Sequence, residues 1–486
     1  MATFNLTRNT RVAFTTNVAV GTGVVAASGF TTANTQELQV LDGFSFSQAS
    51  NADTINISEA GLNPVRGQRS FNTSLNNVEF TFSTYLRPRL STTVKAEESH
   101  LWNALMCSTA IGAAPAFTAT GITTGSVAVD AAGILTLPGT GMTVTGLTVG
   151  QVHVVKGVVG AGASEFNTPV KILTASATSI TAQYLVKPVS SVVPAGWSAS
   201  VTFTSTAWNE NAAVAADTAY PAAYSAVTTA LSNKNQLLPF GMIMTVDGVT
   251  YVIDNCVMDQ AVIDFGLDGI AMAAWTGKGT VLRQLATNVT YSAASDPVLT
   301  GGLTGTITGK VTTANFLTNK LSTISLVKNI GGLGAGNTSY NLALTGGSIT
   351  IANNVTYITP ANLGVVNVPI GYFTGTRSIT GTVNAYLRTG STNTAGLISD
   401  LLAASATSAG VEPKFSLDIA IGGSTAGTRI ELDIPGAMIQ IPSTDAQAVM
   451  STTINFTAQA SDAVQGATAG YDIESTNELE VRYLSL

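Results

Sequence analysis

Residues 77–90 read NVEFTFSTYLRPRL and residues 377–390 read RSITGTVNAYLRTG, with the same Tyr-Leu-Arg triplet near the end of each. Apolar and polar residues alternate along both stretches, which is typical of a strand that buries one face. Each stretch follows another strand-like segment at a similar distance, at residues 38–46 and 341–350. The sequence therefore predicts two copies of one β-rich unit, and such internal repetition favours assembly over catalysis.

Short helical patterns follow the two copies, at residues 101–106 and 397–404, and the later segments 240–279 and 415–460 also correspond. We expect a mainly β protein with two sandwich or barrel domains, each with a flanking helix. The predicted domains are residues 1–116 with 207–286, an inserted domain at 117–206, and residues 287–486.

The segment 117–206 has no counterpart in the second copy and reads as strand, turn and strand throughout. We expect a small β domain in a loop, either immunoglobulin-like or a compact barrel. Its predicted strands cover residues 127–129, 134–137, 142–144, 152–155, 170–173, 180–186 and 201–203. Strands are also predicted at 250–254, 262–265 and 478–484, and a helix within 217–232.

The composition limits the possible functions. Charged residues make up 10% of the chain, against about 25% in average soluble proteins, which favours a subunit whose surface is covered by neighbours. The net charge is −7, so no electrostatic grip on nucleic acid is expected. The first residues lack an apolar core and cleavage site, so we expect no secretion signal. The two cysteines, Cys107 and Cys256, are too few for a disulfide framework, and free thiols are the expectation.

Five stretches resemble phage tail tube proteins in their order and length: LQVLDGFSFSQASNADTINISEAG (38–61), PVRGQRSF (64–71), FSTYLRP (82–88), HLWNAL (100–105) and YVIDNCVMDQAVIDFGLDG (251–269). The resemblance implies a β-sandwich subunit of a phage tail tube, whose strands join those of its neighbours in a ring. Rings of this kind stack into the conduit through which DNA leaves the virion.

The resemblance also implies how the subunits would associate. Three subunits per ring are expected if both copies line the tube, and six if the second copy is a peripheral decoration. Loops at residues 47–77 and 352–376 are expected to reach the adjacent ring. The implied partners are other copies of the chain and sheath, tape-measure, baseplate and tail terminator proteins. Assembly is expected in the host cytoplasm, without membrane insertion, and DNA would pass without being bound.

Two sets of charged residues are candidates for roles in such a tube. Arginine can hold a carboxylate through two hydrogen bonds, so a basic cluster and a nearby glutamate are predicted to pair between subunits or to remain solvated. This set is Arg66, Arg69, Arg87, Arg89 and Glu59. In a second set, of aspartates, some members are predicted to face the channel and repel DNA; the alternative is that Asp254 and Asp268 cap turns and the others face solvent. This set is Asp254, Asp259, Asp264 and Asp268.

Catalytic patterns are absent from the sequence. His100 and His153 each stand alone in their segments, without a nucleophile or metal-binding motif beside them. The run GGLGAG at 331–336 lacks the Lys-Ser/Thr pair of a phosphate-binding loop. We therefore expect no enzyme activity, cofactor or metal. The alternative to a tube subunit is a β-rich decoration protein or adhesin that recognises a host surface.

Overall fold

The computed structural model describes thirty strands and two α-helices. It covers residues 10–15, 21–22, 25–26, 35–41, 43–55, 69–87, 98–106, 116–123, 126–130, 133–144, 147, 152–156, 158, 166, 169–184, 188, 197, 200–204, 237–246, 249–284, 298–299, 305–306, 316–329, 339–363, 366–406, 414–423, 429–445, 449–458 and 479–484.

The first part of the chain contains β1 (Thr10–Thr15), β2 (Gly21–Thr22), β3 (Val25–Ala26), β4 (Thr35–Leu38), β5 (Ser45–Ile55), β6 (Arg69–Tyr85) and helix α1 (Ser99–Met106). The segment predicted as an insert contains β7 (Ala116–Thr120), β8 (Ala128–Val129), β9 (Ile134–Pro138), β10 (Val152–Lys156), β11 (Pro169–Ala175), β12 (Ser179–Tyr184) and β13 (Ser200–Thr204). After it come β14 (Phe240–Val246), β15 (Val249–Gly266), β16 (Met272–Gly279), β17 (Val281–Gln284), β18 (Val298–Leu299) and β19 (Gly305–Thr306).

The last part begins with a 3-10 turn (Asn319–Leu321), β20 (Thr323–Asn329), β21 (Ser339–Asn341), β22 (Leu344–Ala352), β23 (Val355–Ile358), β24 (Gly371–Thr374) and β25 (Ser378–Tyr386). Helix α2 (Thr394–Ala406) follows, and then β26 (Lys414–Gly422), β27 (Arg429–Ile439), β28 (Ser443–Asp445), β29 (Ser451–Ala458) and β30 (Glu480–Leu484). The chain is mainly β, as the sequence predicted.

Two sets of strands have the same pairing pattern. In the first set β1 pairs with β4 and β14, β14 with β15, β15 with β16 and β17, and β16 with β6, which pairs with β5. In the second set β20 pairs with β21 and β26, β26 with β27, β27 with β29 and β30, and β29 with β25, which pairs with β22. All of these pairs are antiparallel, so each strand of the first set has an equivalent in the second.

The two sets are joined edge to edge by the antiparallel pairing of β15 with β22. The strands of the two sets, together with β28, therefore form one 17-stranded sheet system. The buried apolar residues of both sets form one core cluster as well. The core thus extends across the junction, and each set covers apolar surface of the other.

Strand β15 corrects the prediction of two separate strands at residues 250–254 and 262–265. It is a single strand of 18 residues whose register shifts twice, between Phe240 and Met242 on β14 and between Met258 and Gln260 along β15. Such bulges bend a strand, and here the first half pairs with β14 and β17 while the second half pairs with β16 and β22. Asp268 and Gly269 lie in the bend between β15 and β16.

The helices pack by their apolar faces, at the positions that the sequence predicted. In α1 the residues Leu101, Trp102 and Leu105 are fully buried, and the Trp102 ring meets Trp275 edge to face at 4.9 Å. In α2 the buried residues Leu397 and Leu401 are four positions apart, on one face of the helix. Helical pieces this short are marginal alone, so packing on the sheets stabilises them.

The segment predicted as an insert forms a separate seven-stranded sheet in the order β7-β13-β10-β11-β12-β9-β8. It has its own core, which includes Phe166, Tyr184 and Trp197. Residues 142–144, predicted as a strand, lie outside the strands of the structure. The backbone N–H of Met142 donates to the Ala177 carbonyl at 2.8 Å. The helix predicted within 217–232 falls outside the described residues. The domain boundaries remain a prediction.

No helix in the described part of the chain is long and apolar enough to cross a membrane.

Candidate assembly surfaces

A broad polar surface lies on one side of the joined sheet, and we call it the open face. Paired residues on neighbouring strands of a sheet point to the same side, so the register of the pairs defines its members. They are exposed or half-buried: Ser45, Ser47, Glu79, Thr81, Ser83, Tyr85, Gln260, Val262, Asp264, Met272, Ala274, Thr276, Lys278, Ser348, Thr350, Ala352, Ser378, Thr380, Thr382, Asn384, Tyr386, Ser451, Thr453, Asn455 and Thr457. The residues that alternate with them, such as Phe82, Trp275 and Ile263, are buried in the core.

The open face crosses the junction between the two sets without a break. One row runs from Ala274 through Val262, Thr350 and Thr380 to Thr457 on five successive strands. A neighbouring row runs through Asp264, Ser348, Thr382 and Asn455. The Ser348 and Thr382 hydroxyls lie 3.2 Å apart across this second row. The two sets therefore present one surface of hydroxyl and amide groups.

Charge on the open face is sparse, since Glu79, Asp264 and Lys278 are its three charged members. The Lys278 ammonium bonds to the Asp259 carboxylate at 2.9 Å and to the Val355 carbonyl at 2.7 Å. The charge of Lys278 is thus partly neutralised, while the carboxylates of Glu79 and Asp264 are exposed. The face is close to neutral with a slight excess of negative charge.

The four aspartates that are candidates for the channel wall lie in different environments. Asp254 is buried and its carboxylate is paired with Arg283. Asp259 is half-buried and paired with Lys278. Asp264 lies exposed on the open face, and Asp268 is exposed in the turn after β15. Only Asp264 of the four belongs to the open face as defined here.

The Cys256 thiol, close to Asp254, is free and buried. Burial, with the nearby Asp254 carboxylate, raises the pKa of this thiol well above its usual value. Cys107 falls outside the described residues.

The open face lies on one row of strands, β5-β6-β16-β15-β22-β25-β29-β28, and both ends of this row lack a further strand among the described residues. Strand β5 pairs only with β6, and β28 pairs only with β29. In the pairing pattern β5 is equivalent to β22. Strand β28 follows β27 and pairs with β29, just as the second half of β15 pairs with β16. Strand β28 is therefore equivalent to the second half of β15. The two open edges are therefore the equivalents of the two edges that meet at the β15–β22 junction. An open strand edge offers unpaired backbone groups for pairing with another chain.

The segment between β22 and β25 is anchored to the first set by an ion pair. The Asp259 carboxylate accepts a 2.7 Å hydrogen bond from the Val355 N–H, and the Lys278 ammonium donates to the Val355 carbonyl. The same two side chains pair with each other, so both backbone groups of Val355 are held. Charge-assisted hydrogen bonds of this kind are stronger than neutral ones, and they fix where this segment leaves the sheet.

A second anchor joins the same segment to helix α1. The Asn353 amide donates to the Leu105 carbonyl at 2.8 Å and to the Met258 carbonyl at 3.1 Å. The Arg377 guanidinium donates to the Met106 carbonyl and to the Asn353 amide oxygen, both at 3.3 Å. Carbonyls in the last turn of a helix lack helical partners, so residues of the second set cap a helix of the first. Nothing in the sequence indicates this contact, because it depends on how the two sets meet.

Apolar side chains cluster on the segment 352–376, and we call them the loop cluster. They are 37–103% exposed: Ile358, Leu363, Val366, Val368, Ile370 and Phe373. Strands β23 and β24 pair in a separate hairpin beside the main sheet. Asn367 forms a parallel bridge with Ser74 of β6, and the Leu75 N–H donates to the Asn367 carbonyl at 2.8 Å. The two predicted stacking loops therefore contact each other.

The predicted basic cluster is only partly covered by the described residues. Arg69 is exposed at the start of β6, opposite Ile55 of β5. Arg87 is buried, and its backbone N–H donates to the Glu98 carboxylate at 2.8 Å. Arg66, Arg89 and Glu59 fall outside the described residues. The predicted pairing between subunits stays a prediction.

The chain is similar to a known tail protein over nearly its whole length. It is 25% identical over 462 residues to tail tube protein pb6 of Escherichia phage T5, and the match covers 94% of this chain and 73% of that protein. No protein-family model matches the chain. The similarity supports a phage tail tube protein, with a structural role in the virion tail.

Proposed function

We propose that this chain is a structural subunit of a phage tail tube and that three copies close into each ring. One observation carries the proposal: the β15–β22 junction joins strands of two equivalent sets into one continuous row, which carries the open face and has an open edge at each end. The similarity to the T5 protein favours this structural role over an adhesin or decoration protein. A relative of that kind also suggests a protein without enzyme activity.

The ring closes when β5 of one subunit pairs with β28 of the next. This contact repeats the junction within the chain, because the strands involved are equivalent to β22 and β15. Ser348 pairs with Asp264 inside the chain, and their equivalents are Ser45 and Asp445. A closed ring of strands removes both open edges.

Three subunits supply six sets of strands, which gives the ring its six-fold character. The second set contributes strands to the same open face as the first. A peripheral decoration would instead stand apart from that face, so the continuous sheet favours three subunits per ring over six.

The open face lines the channel in this proposal. Each lysine or arginine that neutralises a phosphate adds salt-dependent affinity for DNA, and such contacts would slow its passage. Lys278 is held by Asp259, while Glu79 and Asp264 repel phosphate. Hydroxyl and amide groups make up most of the remaining surface. DNA would be guided by exclusion, with Asp264 in the role predicted for the aspartates.

Adjacent rings stack through the segments 47–77 and 352–376. The loop cluster supplies apolar surface for this contact, since exposed apolar patches of this kind mark interaction sites. Ile55 and Phe71, near the far end of the β5–β6 hairpin, are also exposed. Arg66, Arg69, Arg89 and Glu59 lie in or near the same hairpin in sequence, where they would form ion pairs between rings.

The chain divides into the predicted domains, residues 1–116 with 207–286, 117–206 and 287–486. The separate sheet of the middle segment supports this division. The assembled rings meet tape-measure, terminator, baseplate and, in a contractile tail, sheath proteins, and assembly takes place in the host cytoplasm.

Electron microscopy of the purified, concentrated protein tests the proposal. We expect tubes with a uniform bore and, in rotational averages, three chains per ring with approximate six-fold symmetry. Mass per unit length, measured by scanning transmission microscopy, gives the number of chains per ring independently. Dispersed monomers at all concentrations would contradict the structural role, and six chains per ring would contradict the three-subunit closure.

A further inference from the structure

A short segment of the second set covers part of the first set. The Phe316 ring meets the Tyr85 ring edge to face at 5.3 Å, and the Ala271 N–H donates to the Leu317 carbonyl at 2.9 Å. Thr318 forms an antiparallel bridge with Ile270. The segment comprises residues 316–321 and comes immediately before β20. The first set thus receives a cover from the chain that leads into the second set.

The strand equivalent to β20 is β1, and it too is preceded by a segment of the chain, residues 1–9. Val12 pairs with Met244, and Ile324 pairs with Ile419, at matching places in the two sets. When the two strands are aligned in this way, Phe4 corresponds in sequence to Phe316. The sequence there, FNLT, shares with FLTN an aromatic residue followed closely by leucine and threonine. Residues 1–9 fall outside the described part of the chain.

The surface that the segment 316–321 covers also has an equivalent in the second set. The Leu86 N–H donates to the Ala271 carbonyl at 3.0 Å, and the Leu387 N–H donates to the Met450 carbonyl at 2.9 Å. Met450 is therefore the counterpart of Ala271. The equivalent surface, which we call the acceptor patch, consists of Tyr386, Leu387, Arg388, Val449 and Met450.

Every member of the acceptor patch is more exposed than its counterpart in the first set. Met450 is 43% exposed and Ala271 is fully buried, while Val449 is 64% exposed and Ile270 37%. Tyr386 and Arg388 are exposed, whereas Tyr85 is half-buried and Arg87 is buried; Leu387 is half-buried and Leu86 fully buried. The acceptor patch is thus a mostly apolar and exposed surface, whereas the equivalent surface of the first set is covered by residues 316–321.

We propose that residues 1–9 of one subunit cover the acceptor patch of the adjacent subunit, with Phe4 against Tyr386. This inference rests on the ring closure proposed above. Within the chain, the second set pairs its strand β22 with β15 of the first set. The segment 316–321, which leads into the second set, also covers part of the first set. In the ring, the adjacent subunit pairs its strand β5 with β28 in the same way. Its residues 1–9, which lead into its first set, would therefore reach the acceptor patch.

Each subunit then contacts one neighbour through its own residues 1–9 and the other neighbour through its acceptor patch. These contacts stabilise the ring beside the β5–β28 pairing. The contact is apolar and adds aromatic packing, which side chains such as Tyr386 and Phe4 provide in offset or edge-to-face arrangements. It also covers the Met450 backbone as Leu317 covers that of Ala271.

Photo-crosslinking tests the contact in assembled tubes. The full-length chain carries the photoreactive p-benzoylphenylalanine in place of Phe4, and tubes are grown from a mixture of isotopically heavy and light subunits. After irradiation, mass spectrometry of the digest identifies the linked peptides. We expect links from residue 4 to the peptides containing Tyr386 or Met450, in heavy–light pairs that prove a contact between subunits. In the Met450→Ala variant we expect a several-fold loss of these links.

A matched control carries the same photoreactive residue in place of Phe373, an exposed aromatic of the loop cluster, and should give no link to the acceptor patch. Tubes that form without links from residue 4 to the patch, or with links only inside one subunit, would overturn this inference and leave the tube function standing. Failure of the wild-type chain to form tubes would overturn both.

Discussion

One pair of positions shows how the two sets reach similar packing with different residues. In the first set Phe80 of β6 lies opposite Gly277 of β16, and in the second set Gly381 of β25 lies opposite Phe456 of β29. The phenylalanine is on β6 in the first set, but on β29, the equivalent of β16, in the second set. The glycine has the opposite placement. Each ring fills the space that its glycine leaves, since a Cβ on either glycine would overlap the opposing ring.

This exchange predicts a measurable coupling between Gly381 and Phe456. Gly381→Ala should destabilise the fold by about 1–3 kcal/mol by overpacking, and Phe456→Ala by about 3–5 kcal/mol through the cavity it leaves. The double variant should lose less than the sum by about 0.5–3 kcal/mol, because removal of the ring makes room for the new methyl group. Urea unfolding of the unassembled subunit measures all three.

A contact of the new Cβ with the Ser348 carbonyl, at 2.6 Å, persists in the double variant, so full recovery is not expected. A matched control combines Gly381→Ala with Phe415→Ala, which removes a buried ring of the same core at a different site. Strict additivity in the Gly381 and Phe456 pair would contradict the coupling.

The sequence predicted part of this arrangement at the residue scale. Glycine at 381, where the first copy has Phe80, indicates a difference in packing. It does not reveal what fills the space, because Phe456 is 75 positions away in the chain and meets Gly381 only through strand pairing. The capping of helix α1 by Asn353 and Arg377 was equally invisible, since both residues come from the other set.

At the scale of elements, alternation identified strands such as β6, β9 and β22 and the two described helices, because one buried face leaves a clear period in the sequence. Many shorter strands, such as β2, β18 and β28, were not predicted, and strand β15 was predicted wrongly. Its middle, around Asn255 with a φ of 47°, breaks the alternation, and Cys256, Val257 and Met258 are all buried in succession. A bulged strand that serves two layers of structure has no single period, so two strands were predicted in place of one.

The open edges yield a prediction about the register of ring closure. Ser47 and Ser443 are the equivalents of Thr350 and Val262, which pair at the internal junction. Directly opposite residues of antiparallel strands have Cα atoms about 4.5–5.5 Å apart, within the range of a disulfide. In assembled tubes, the double variant Ser47→Cys with Ser443→Cys should therefore oxidise to linked species that end at three chains on non-reducing gels.

The control for this register is the double variant Ser45→Cys with Ser443→Cys. Its two positions are diagonal in the proposed pairing and about 7–8 Å apart, so it should link poorly. Equal linkage of both variants would contradict the register, and a ladder that continues to six chains would contradict three-subunit closure.

At the scale of the whole molecule, the repeat in the sequence predicted two related units but not how they join. The Tyr-Leu-Arg triplets locate equivalent strands, yet strand pairing between units depends on edges that carry no local signal. The aspartate prediction had the same difficulty. Four carboxylates within 15 residues look alike in the sequence, whereas the bulges of β15 bring Asp254 and Asp259 to basic partners and leave Asp264 on the open face.

The separate sheet of residues 116–204 leads to a prediction for the complete tube. Its core is distinct from that of the main sheet, and Ala116 of β7 pairs with Thr204 of β13. The two points where the chain enters and leaves this sheet are therefore neighbours, about 4.5–5.5 Å apart at Cα. Deleting residues 117–206 and joining the ends with a short glycine-serine linker should cost the main sheet none of its strand pairs.

We expect this deletion variant to form tubes with an unchanged bore and a smaller outer diameter in electron micrographs, because a domain of that size inside the channel would block DNA. Wild-type tubes prepared in parallel give both reference diameters, and circular dichroism of the unassembled variant checks that its strands are formed. A folded variant that fails to assemble would show that the segment belongs to the ring contacts. A wider bore would show that it lines the channel.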